Sequence, residues 1–267
     1  LYFKRSARWF PVIEPILKKH AIPEDFKYIP LIESGFMHVT SPAGARSYWQ
    51  FMERTAEEYG LEVNKYVDER YHVEKATIAA CKYFKEAYAK FGSWTLAAAS
   101  YNMGMGGIKK RLSAQDVTSF YDLYLNRETS RYIFRLLAIK EIIENPDSYG
   151  FHFKQHHLYQ PYEFRYVEIN TSVDDLVAFA REKGITYRQL KVLNPWLRST
   201  RIYNPQGKVY KIKIPVEEGP GLEEEMKRKE QGNRQNNLGE YVVYRVKGDE
   251  TLEQIAEKYG VEVDDIV

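Results

Sequence analysis

Roughly the first 155 residues repeat apolar side chains at helical intervals, and this periodicity constrains the fold more than any other feature. Apolar residues three and four positions apart lie on one face of an α-helix. Patterns typical of strands are scarce in this half, so we expect a mostly α-helical domain with functional loops between its helices. The predicted helices cover residues 11–20, 53–59, 73–91, 94–102 and 127–143, with one more starting at 23–25, where a proline precedes two acids.

A different pattern starts near Tyr159. Residues 166–169 and 209–215 read as short strands, whereas residues 173–183 and 187–193 read as helices. This order predicts a small α+β module of βααβ type.

The polar stretch 217–240 contains no aromatic residue and predicts a solvated linker. Beyond it the sequence repeats the opening of the βααβ module. Six similar positions recur at a constant spacing of 76 residues, which indicates duplication. We therefore divide the chain into a helical domain (1–158), a first module (159–216), the linker (217–240) and the start of a second, truncated module (241–267).

Composition and charge exclude several classes of protein. The chain has 39 basic and 37 acidic residues, so its net charge of +2 does not favour nucleic acid as a partner. The single cysteine, Cys81, excludes an intrachain disulfide and a cysteine-rich zinc site, and the histidines show no HExxH spacing. We expect no metal and no cofactor. The chain has no apolar run of 18 residues and no initial signal peptide, as expected for a mature or trimmed form.

Aromatic residues make up 15% of the chain, and 22 of them are tyrosines. Tyrosine offers flat apolar faces with a polar rim, which suits sugar rings. Composition alone favours the alternative, in which these residues pack in the core and at interfaces.

Glu33 is the first candidate for chemistry. It follows an apolar helical segment, where desolvation raises the pKa of a carboxyl group and keeps it protonated near neutrality. Such an acid can protonate a leaving oxygen, the first step in cleaving a glycosidic bond. On this segment alone, a solvent-exposed glutamate at a helix end remains an alternative.

Two further segments place polar and aromatic residues beside glycine. Residues 41–52 form a predicted loop that opens a helix, and residues 97–107 end a small-residue helix in a glycine-rich loop. A helix rather than a strand precedes those glycines, which excludes a dinucleotide fingerprint. They are better interpreted as allowing close approach of the backbone to a ligand.

In chain order, four segments resemble the successive motifs of the goose-type lysozyme-like lytic transglycosylases. They are Glu33-Ser34, residues 44–52, Ser100-Tyr101-Asn102 and residues 128–132. Residues 166–215 and 241–267 resemble LysM modules, the first of them diverged. The resemblance implies a mostly α lysozyme-like catalytic domain followed by small α+β modules.

The resemblance also implies roles for individual residues, with Glu33 as the single catalytic acid and base. Tyr132 and Met52 could equally be core residues, and Glu128 could simply be a first-turn acid that suits the helix dipole. Two departures from the family pattern, Ser47 for glycine and Ser100 for alanine, leave the loop shape and subsite preference open. The implied groove-lining residues are Ser41, Gln50, Met52, Tyr101 and Glu128, with Asn102 and Tyr132 in support.

The activity implied is that of a peptidoglycan lytic transglycosylase, which cleaves the N-acetylmuramic acid–(β1,4)–N-acetylglucosamine bond and leaves 1,6-anhydro ends. No second acid stands in a matching motif, as the usual glycosidase pair would require. A non-catalytic peptidoglycan-binding protein and a hydrolytic lysozyme are the alternatives.

The partners expected from this activity are peptidoglycan glycan strands and no nucleic acid. We expect a monomer in the periplasm or cell envelope, associated with the outer membrane only through an anchor outside this chain.

Overall fold

Helices dominate the structure, as the periodicity predicts. The computed structural model describes residues 1–216, 250–260 and 263. The helices are α1 (Tyr2–Lys19), α2 (Ile29–Ser34), α3 (Glu53–Glu58), α4 (Val73–Phe91), α5 (Trp94–Met103), α6 (Met105–Gln115), α7 (Arg127–Glu144), α8 (Leu176–Glu182), α9 (Tyr187–Leu193) and α10 (Leu252–Tyr259). The strands are β1 (Phe164–Ile169) and β2 (Tyr210–Pro215).

Helix α6 is where the structure differs most from the sequence prediction, which placed a glycine-rich loop there. Gly104, at φ +83°, separates α5 from α6. A Cβ on Gly107 would lie 2.6 Å from Cγ of Met103. The glycine at 107 therefore lets the side chain of Met103 pack closely, and the prediction of a ligand-binding loop is wrong at this position.

The core of the helical domain forms around α5. All residues from 96 to 100 are buried, and α5 packs against α4, α6 and α7. Because three of these residues are alanines, the neighbouring helices can approach α5 closely. The buried indole of Trp49 donates a 3.0 Å hydrogen bond to Oγ1 of Thr77 on α4, which fastens the loop before α3 to this core.

The segment from 164 to 215 has the predicted βααβ order. Strands β1 and β2 are antiparallel, with Phe164 opposite Pro215 and Ile169 opposite Tyr210. Helix α8 starts three residues later than predicted. The side chain of Asp175 caps it by accepting a 2.8 Å hydrogen bond from the backbone of Val177.

This module packs directly against the helical domain. Val67 and Tyr71 belong to the same buried apolar cluster as the module's own residues. Val67 forms an antiparallel bridge with Leu197, and the backbone N–H of Asp68 donates a 2.8 Å hydrogen bond to the carbonyl of Trp196. The two units therefore share part of a core, although the boundaries at 158 and 216 stay predictions.

Ion pairs reinforce this contact. Nζ of Lys213 on β2 lies 2.5 Å from Oε1 of Glu74 on α4. Nζ of Lys208 lies 2.5 Å from Oε2 of Glu62, to which the phenol of Tyr210 also donates a hydrogen bond of 2.9 Å. Charged side chains of the module thus meet carboxylates of the helical domain.

Helix α10 agrees with the predicted repeat, since it begins at Leu252, the position equivalent to the start of α8. The predicted linker and the rest of the second module lie outside the described residues. Among the helices described, none has both the length and the apolar character needed to cross a membrane.

Candidate active site

Glu33 lies in the last turn of α2 and is half-buried. Gly35 ends the helix in a left-handed conformation at φ +59°. The left-handed backbone favours glycine here, and a Cβ at this position would also lie 2.8 Å from Cε1 of Tyr2, so the exposed tyrosine ring would have to move. The helix end and the position of the carboxyl group are thereby set together.

Helix α7 supplies the direct partner of the carboxyl group. The buried phenol of Tyr132 donates a 2.7 Å hydrogen bond to Oε1 of Glu33. Oε2 has no hydrogen-bond partner among the described residues, and this atom is not fully buried. One carboxyl oxygen is therefore held, while the other reaches solvent.

The net effect of these surroundings is to raise the pKa of Glu33. Burial is the main cause, since it disfavours the charged form. The hydrogen bond from Tyr132 and the charge of Arg135 act in the opposite direction, and the charge of Glu128 raises the pKa further. The environment therefore shifts the pKa of Glu33 upward, the direction that the sequence argument for Glu33 expects.

Tyr101 links α5 to the loop at 41–52. Its phenol donates a 2.7 Å hydrogen bond to the carbonyl of Trp49. Burial and the negative charge of Glu33 raise the pKa of this phenol well above its usual value, so it stays neutral. Tyr101 is thus an uncharged polar group close enough to feel the charge of Glu33.

Gln50 and Ser47 give the same loop an unusual backbone. Both have positive φ, +50° and +65°. For residues other than glycine this conformation costs on the order of 1 kcal/mol each. Nε2 of Gln50 donates a 2.6 Å hydrogen bond to the carbonyl of Ser47, and the Ser47 hydroxyl lies 2.9 Å from Nδ1 of His38. Ser47 therefore adopts the left-handed backbone conformation that a glycine at this position would favour.

The other departure from the family pattern, Ser100, is fully buried and satisfied. Its hydroxyl donates a 2.7 Å hydrogen bond to the carbonyl of Ala97, and its own carbonyl accepts one of 2.6 Å from Tyr83. Ser100 is therefore part of the helix packing.

Asn102 and Glu128 meet where α5 reaches the start of α7. Nδ2 of Asn102 donates a 3.1 Å hydrogen bond to Oε1 of Glu128, and its Oδ1 accepts a 2.8 Å bond from the hydroxyl of Thr129. Asn126 caps α7, so Glu128 does occupy the first turn. Because Glu128 is also exposed and acts electrostatically on Glu33, the helix-start interpretation and the site interpretation are compatible.

Ser41 and Met52 make no hydrogen bond to this group. Oγ of Ser41 accepts a 3.0 Å bond from the backbone of Ala45 and so shapes the loop. Met52 is 43% exposed, which excludes the core-packing alternative for this residue. Tyr132, by contrast, is both a core residue and the partner of Glu33.

Sequence reasoning missed Arg135 and Thr129. Arg135 lies three positions after Tyr132 and hence on the same face of α7, a spacing that could have identified it. Its guanidinium donates a 3.1 Å hydrogen bond to the carbonyl of Ile32, beside Glu33.

In the part of the chain described, no three His, Cys, Asp or Glu side chains converge as metal ligands would.

Comparisons with known families agree with this arrangement. Residues 10–123 match the transglycosylase SLT domain, residues 165–218 match the soluble lytic transglycosylase C-terminal LysM-like domain, and residues 244–267 match the LysM domain. Glu33, Gln50 and Tyr101 lie within the first match, whereas Glu128 and Tyr132 lie beyond it.

Similar proteins include membrane-bound lytic murein transglycosylase D from Escherichia coli strain K12, 28% identical over 262 residues. Its counterpart in Escherichia coli O6:H1 strain CFT073 has the same identity. Each alignment covers 94% of this chain but 57% of the relative, so the chain spans little more than half the length of these proteins.

Among solved structures, the chain is similar to an inactive mutant of the lytic transglycosylase Slt from Pseudomonas aeruginosa. The TM-score is 0.42 at 18% identity, over 57% of this chain and 26% of the other. From the family matches, the chain contains a transglycosylase SLT domain followed by LysM-type domains.

Proposed function

We propose that this chain is a peptidoglycan lytic transglycosylase in which Glu33 is the single general acid and base. One observation carries the proposal: within the SLT-matched segment, burial raises the pKa of a carboxyl group that has one oxygen held by Tyr132 and the other open. The similarity to murein transglycosylases supports the choice of substrate.

Two proton transfers account for the reaction. Glu33 protonates the oxygen that bridges N-acetylmuramic acid and N-acetylglucosamine, and the C1–O bond breaks. The resulting carboxylate then removes the proton from the C6 hydroxyl of the muramyl sugar, whose oxygen bonds to C1 and closes a 1,6-anhydro ring. Because this nucleophile is already tethered to the sugar, its effective concentration is high and no activated water is needed.

The residues around Glu33 have supporting roles in this scheme. Tyr132 orients the carboxyl group, and neutral Tyr101 lies near the charge that develops on the sugar. Oε1 of Gln50 makes no hydrogen bond to the described residues, since the amide group is anchored through Nε2. It is therefore available to accept a hydrogen bond from the N-acetyl group. Ser41, Met52, Asn102 and Glu128 would shape the groove around these groups.

The LysM-type domains have two different roles in this proposal. The first braces the catalytic domain, since it shares buried residues with it. The LysM segment at 244–267 binds N-acetylglucosamine-containing chains and raises the effective concentration of substrate. The protein acts as a monomer in the periplasmic cell envelope, in line with the membrane-bound murein transglycosylases that it resembles.

Digestion of purified peptidoglycan, with mass analysis of the soluble products, tests the proposal. A transglycosylase releases muropeptides that are one water lighter than those with reducing ends. Reducing-end products would instead identify a hydrolase, and intact glycan would identify a binding protein.

A further inference from the structure

The carbonyl of Ser47 anchors the side chain of Gln50. It accepts two hydrogen bonds from this residue, one of 2.6 Å from Nε2 and one of 3.2 Å from the backbone N–H. Nε2 also donates a 3.3 Å hydrogen bond to the carbonyl of Val39. With the amide nitrogen fixed in this way, the direction of the Ser47 carbonyl decides where Oε1 of Gln50 points.

Ser47 holds that carbonyl in a backbone conformation that residues with a Cβ disfavour. Its φ is +65°, in the left-handed region. The residue is only 1% exposed, so its hydroxyl depends on a partner within the protein. A strained conformation of this kind persists when the surrounding contacts hold it in place. Ser47 therefore needs contacts that a glycine would not need.

His38 supplies a contact to the hydroxyl. Nδ1 of His38 lies 2.9 Å from Oγ of Ser47. Either tautomer of the ring can form this hydrogen bond, because a hydroxyl group both donates and accepts. The backbone N–H of Ser47 also donates a 2.9 Å hydrogen bond to the carbonyl of Val39, the residue after His38. Residues 38 and 39 together hold both the side chain and the backbone of Ser47.

The imidazole ring of His38 has a defined orientation. It stacks on the ring of Tyr48, with centroids 4.4 Å apart and an angle of 8° between the planes. The carbonyl of Tyr48 accepts a 2.9 Å hydrogen bond from the hydroxyl of Ser34, the residue after Glu33. The stack thus keeps Nδ1 directed at Ser47, although the side chain of His38 is exposed.

His38 lies outside the group of residues around Glu33. Together with Tyr48 it lines a cavity of about 980 Å³ between the helical domain and the first LysM-type module. Neither Glu33 nor Gln50 lines this cavity. An effect of His38 on the candidate active site would therefore be transmitted through the loop that contains Ser47 and Gln50.

We propose that His38 is a positioning residue that holds Gln50, through Ser47, in the orientation that receives the N-acetyl group of the substrate. This inference rests on the proposed function. Without the contact between Nδ1 and Oγ, the left-handed conformation of Ser47 is less populated, and the amide of Gln50 loses its anchor. Glu33 keeps its own hydrogen bond with Tyr132, which does not involve this loop.

Two substitutions separate the nitrogen of His38 from its ring. His38→Phe keeps a ring that can stack on Tyr48 and removes the nitrogen. We expect it to lower the rate of muropeptide release from purified peptidoglycan about 5-fold, the effect of one ordinary hydrogen bond. His38→Asn keeps a polar group that can reach the hydroxyl of Ser47 and should retain most of the activity. Thermal melts verify that each variant is folded.

Ser47→Gly provides the decisive background for the same change. Glycine adopts the left-handed conformation without a supporting contact. In the Ser47→Gly background, His38→Phe should therefore change the rate less than about 2-fold. If His38 only stabilised the fold, the loss would be the same in both backgrounds, and that result overturns the proposal. A wild-type rate in the folded His38→Phe single variant overturns it as well.

Hydrogen exchange of backbone amides gives a second measurement that needs no substrate. In peptides that cover residues 44–52, the amides of Ser47 and Gln50 should exchange about 5-fold faster in His38→Phe. His152→Phe is the matched control, since His152 is also exposed and its Nδ1 lies 3.0 Å from Oδ1 of Asp147. It lies outside the SLT-matched segment and should change neither the exchange nor the rate.

The two measurements distinguish this inference from the proposed activity. If the wild type leaves peptidoglycan intact while exchange is faster in His38→Phe, the role of His38 is supported and the proposed activity is refuted. If the wild type cleaves and His38→Phe changes neither rate nor exchange, the role of His38 is refuted and the proposed activity stands.

Discussion

The phenol of Tyr132 donates a 2.7 Å hydrogen bond to Oε1 of Glu33, a residue 99 positions earlier in the chain. This contact joins the end of α2 to the second turn of α7 and fixes one carboxyl oxygen. Oε2 is therefore the oxygen that would carry out the proton transfers proposed for Glu33.

Replacing Glu33 with glutamine should abolish most cleavage while keeping glycan binding. Size is kept and the transferable proton is lost, so we expect turnover of peptidoglycan to fall by about 10²–10⁴-fold. Release of soluble muropeptides measures this. Glu144→Gln is the control, since Glu144 at the end of α7 accepts a 3.0 Å hydrogen bond from the buried Tyr28 and lies outside the site. Wild-type turnover in Glu33→Gln would refute the assignment.

The same variant should be more stable than the wild type at neutral pH. Because folding raises the pKa of Glu33, chiefly by burial, ionisation at neutral pH destabilises the folded state. Below the ordinary glutamate pKa the carboxyl is protonated in both states and this cost vanishes. We therefore expect the difference in melting temperature between Glu33→Gln and the wild type to shrink from pH 7 to pH 4. A difference that grows on acidification would contradict the raised pKa.

Tyr132→Phe should move the pH dependence of cleavage. The lost hydrogen bond is one that lowers the pKa of Glu33, so its removal raises that pKa further. Activity that requires protonated Glu33 then persists to higher pH, and we expect the basic limb of the kcat profile to shift upward. Tyr28→Phe, which removes a tyrosine–glutamate bond elsewhere, should leave the profile unchanged. A downward shift in Tyr132→Phe would exclude this role.

The ion pair between Lys213 and Glu74 should couple the first module to the helical domain. Lys213→Met removes the ammonium group beside a largely buried carboxylate and should reduce the free energy of unfolding by about 2–4 kcal/mol. Adding Glu74→Gln should restore most of the lost free energy of unfolding. A denaturant titration of the double variant measures this. Equal stability of the single and double variants would mean that the pair contributes nothing.

Acid should weaken the same contact. Burial alone would raise the pKa of Glu74, but His72, whose Nδ1 lies 3.0 Å from Oε2 of Glu74, and the charge of Lys213 lower it to about 2. A depressed pKa stabilises the folded state above the ordinary glutamate value, and this contribution is lost as the pH falls toward 2. Glu74→Gln should therefore show a smaller loss of melting temperature between pH 5 and pH 2.5 than the wild type. An identical loss in both proteins would argue against the depressed pKa.

Two truncations should separate the roles of the LysM-type domains. Deleting residues 159–267 exposes Val67 and Tyr71, which are buried against the module, and should lower the melting temperature by roughly 5–10 °C. Deleting residues 217–267 removes none of the described residues that form the two core clusters, so the melting temperature should hold while retention on insoluble peptidoglycan falls. Equal melting temperatures of the two truncated proteins would refute the bracing role.

Local patterns determined much of this protein. The apolar periodicity located α4, α5 and α7 to within a residue or two, and the βααβ order of the first module followed from short-range alternation. The position of Glu33 after an apolar segment made it a candidate, and the four motifs in family order singled it out. These patterns involve residues only a few positions apart, so they can be recognised in a single sequence.

Contacts between distant segments decided the rest. The pKa of Glu33 is raised by burial and lowered in part by Tyr132 and Arg135, and its own segment reveals none of these effects. Helix α6 escaped prediction because one of its glycines, Gly107, allows close packing of the Met103 side chain. The cavity between the helical domain and the first LysM-type module exists only because α9 and β2 lie against α1 and the start of α4. Desolvation and charge act through space, so they become defined only when the chain has folded.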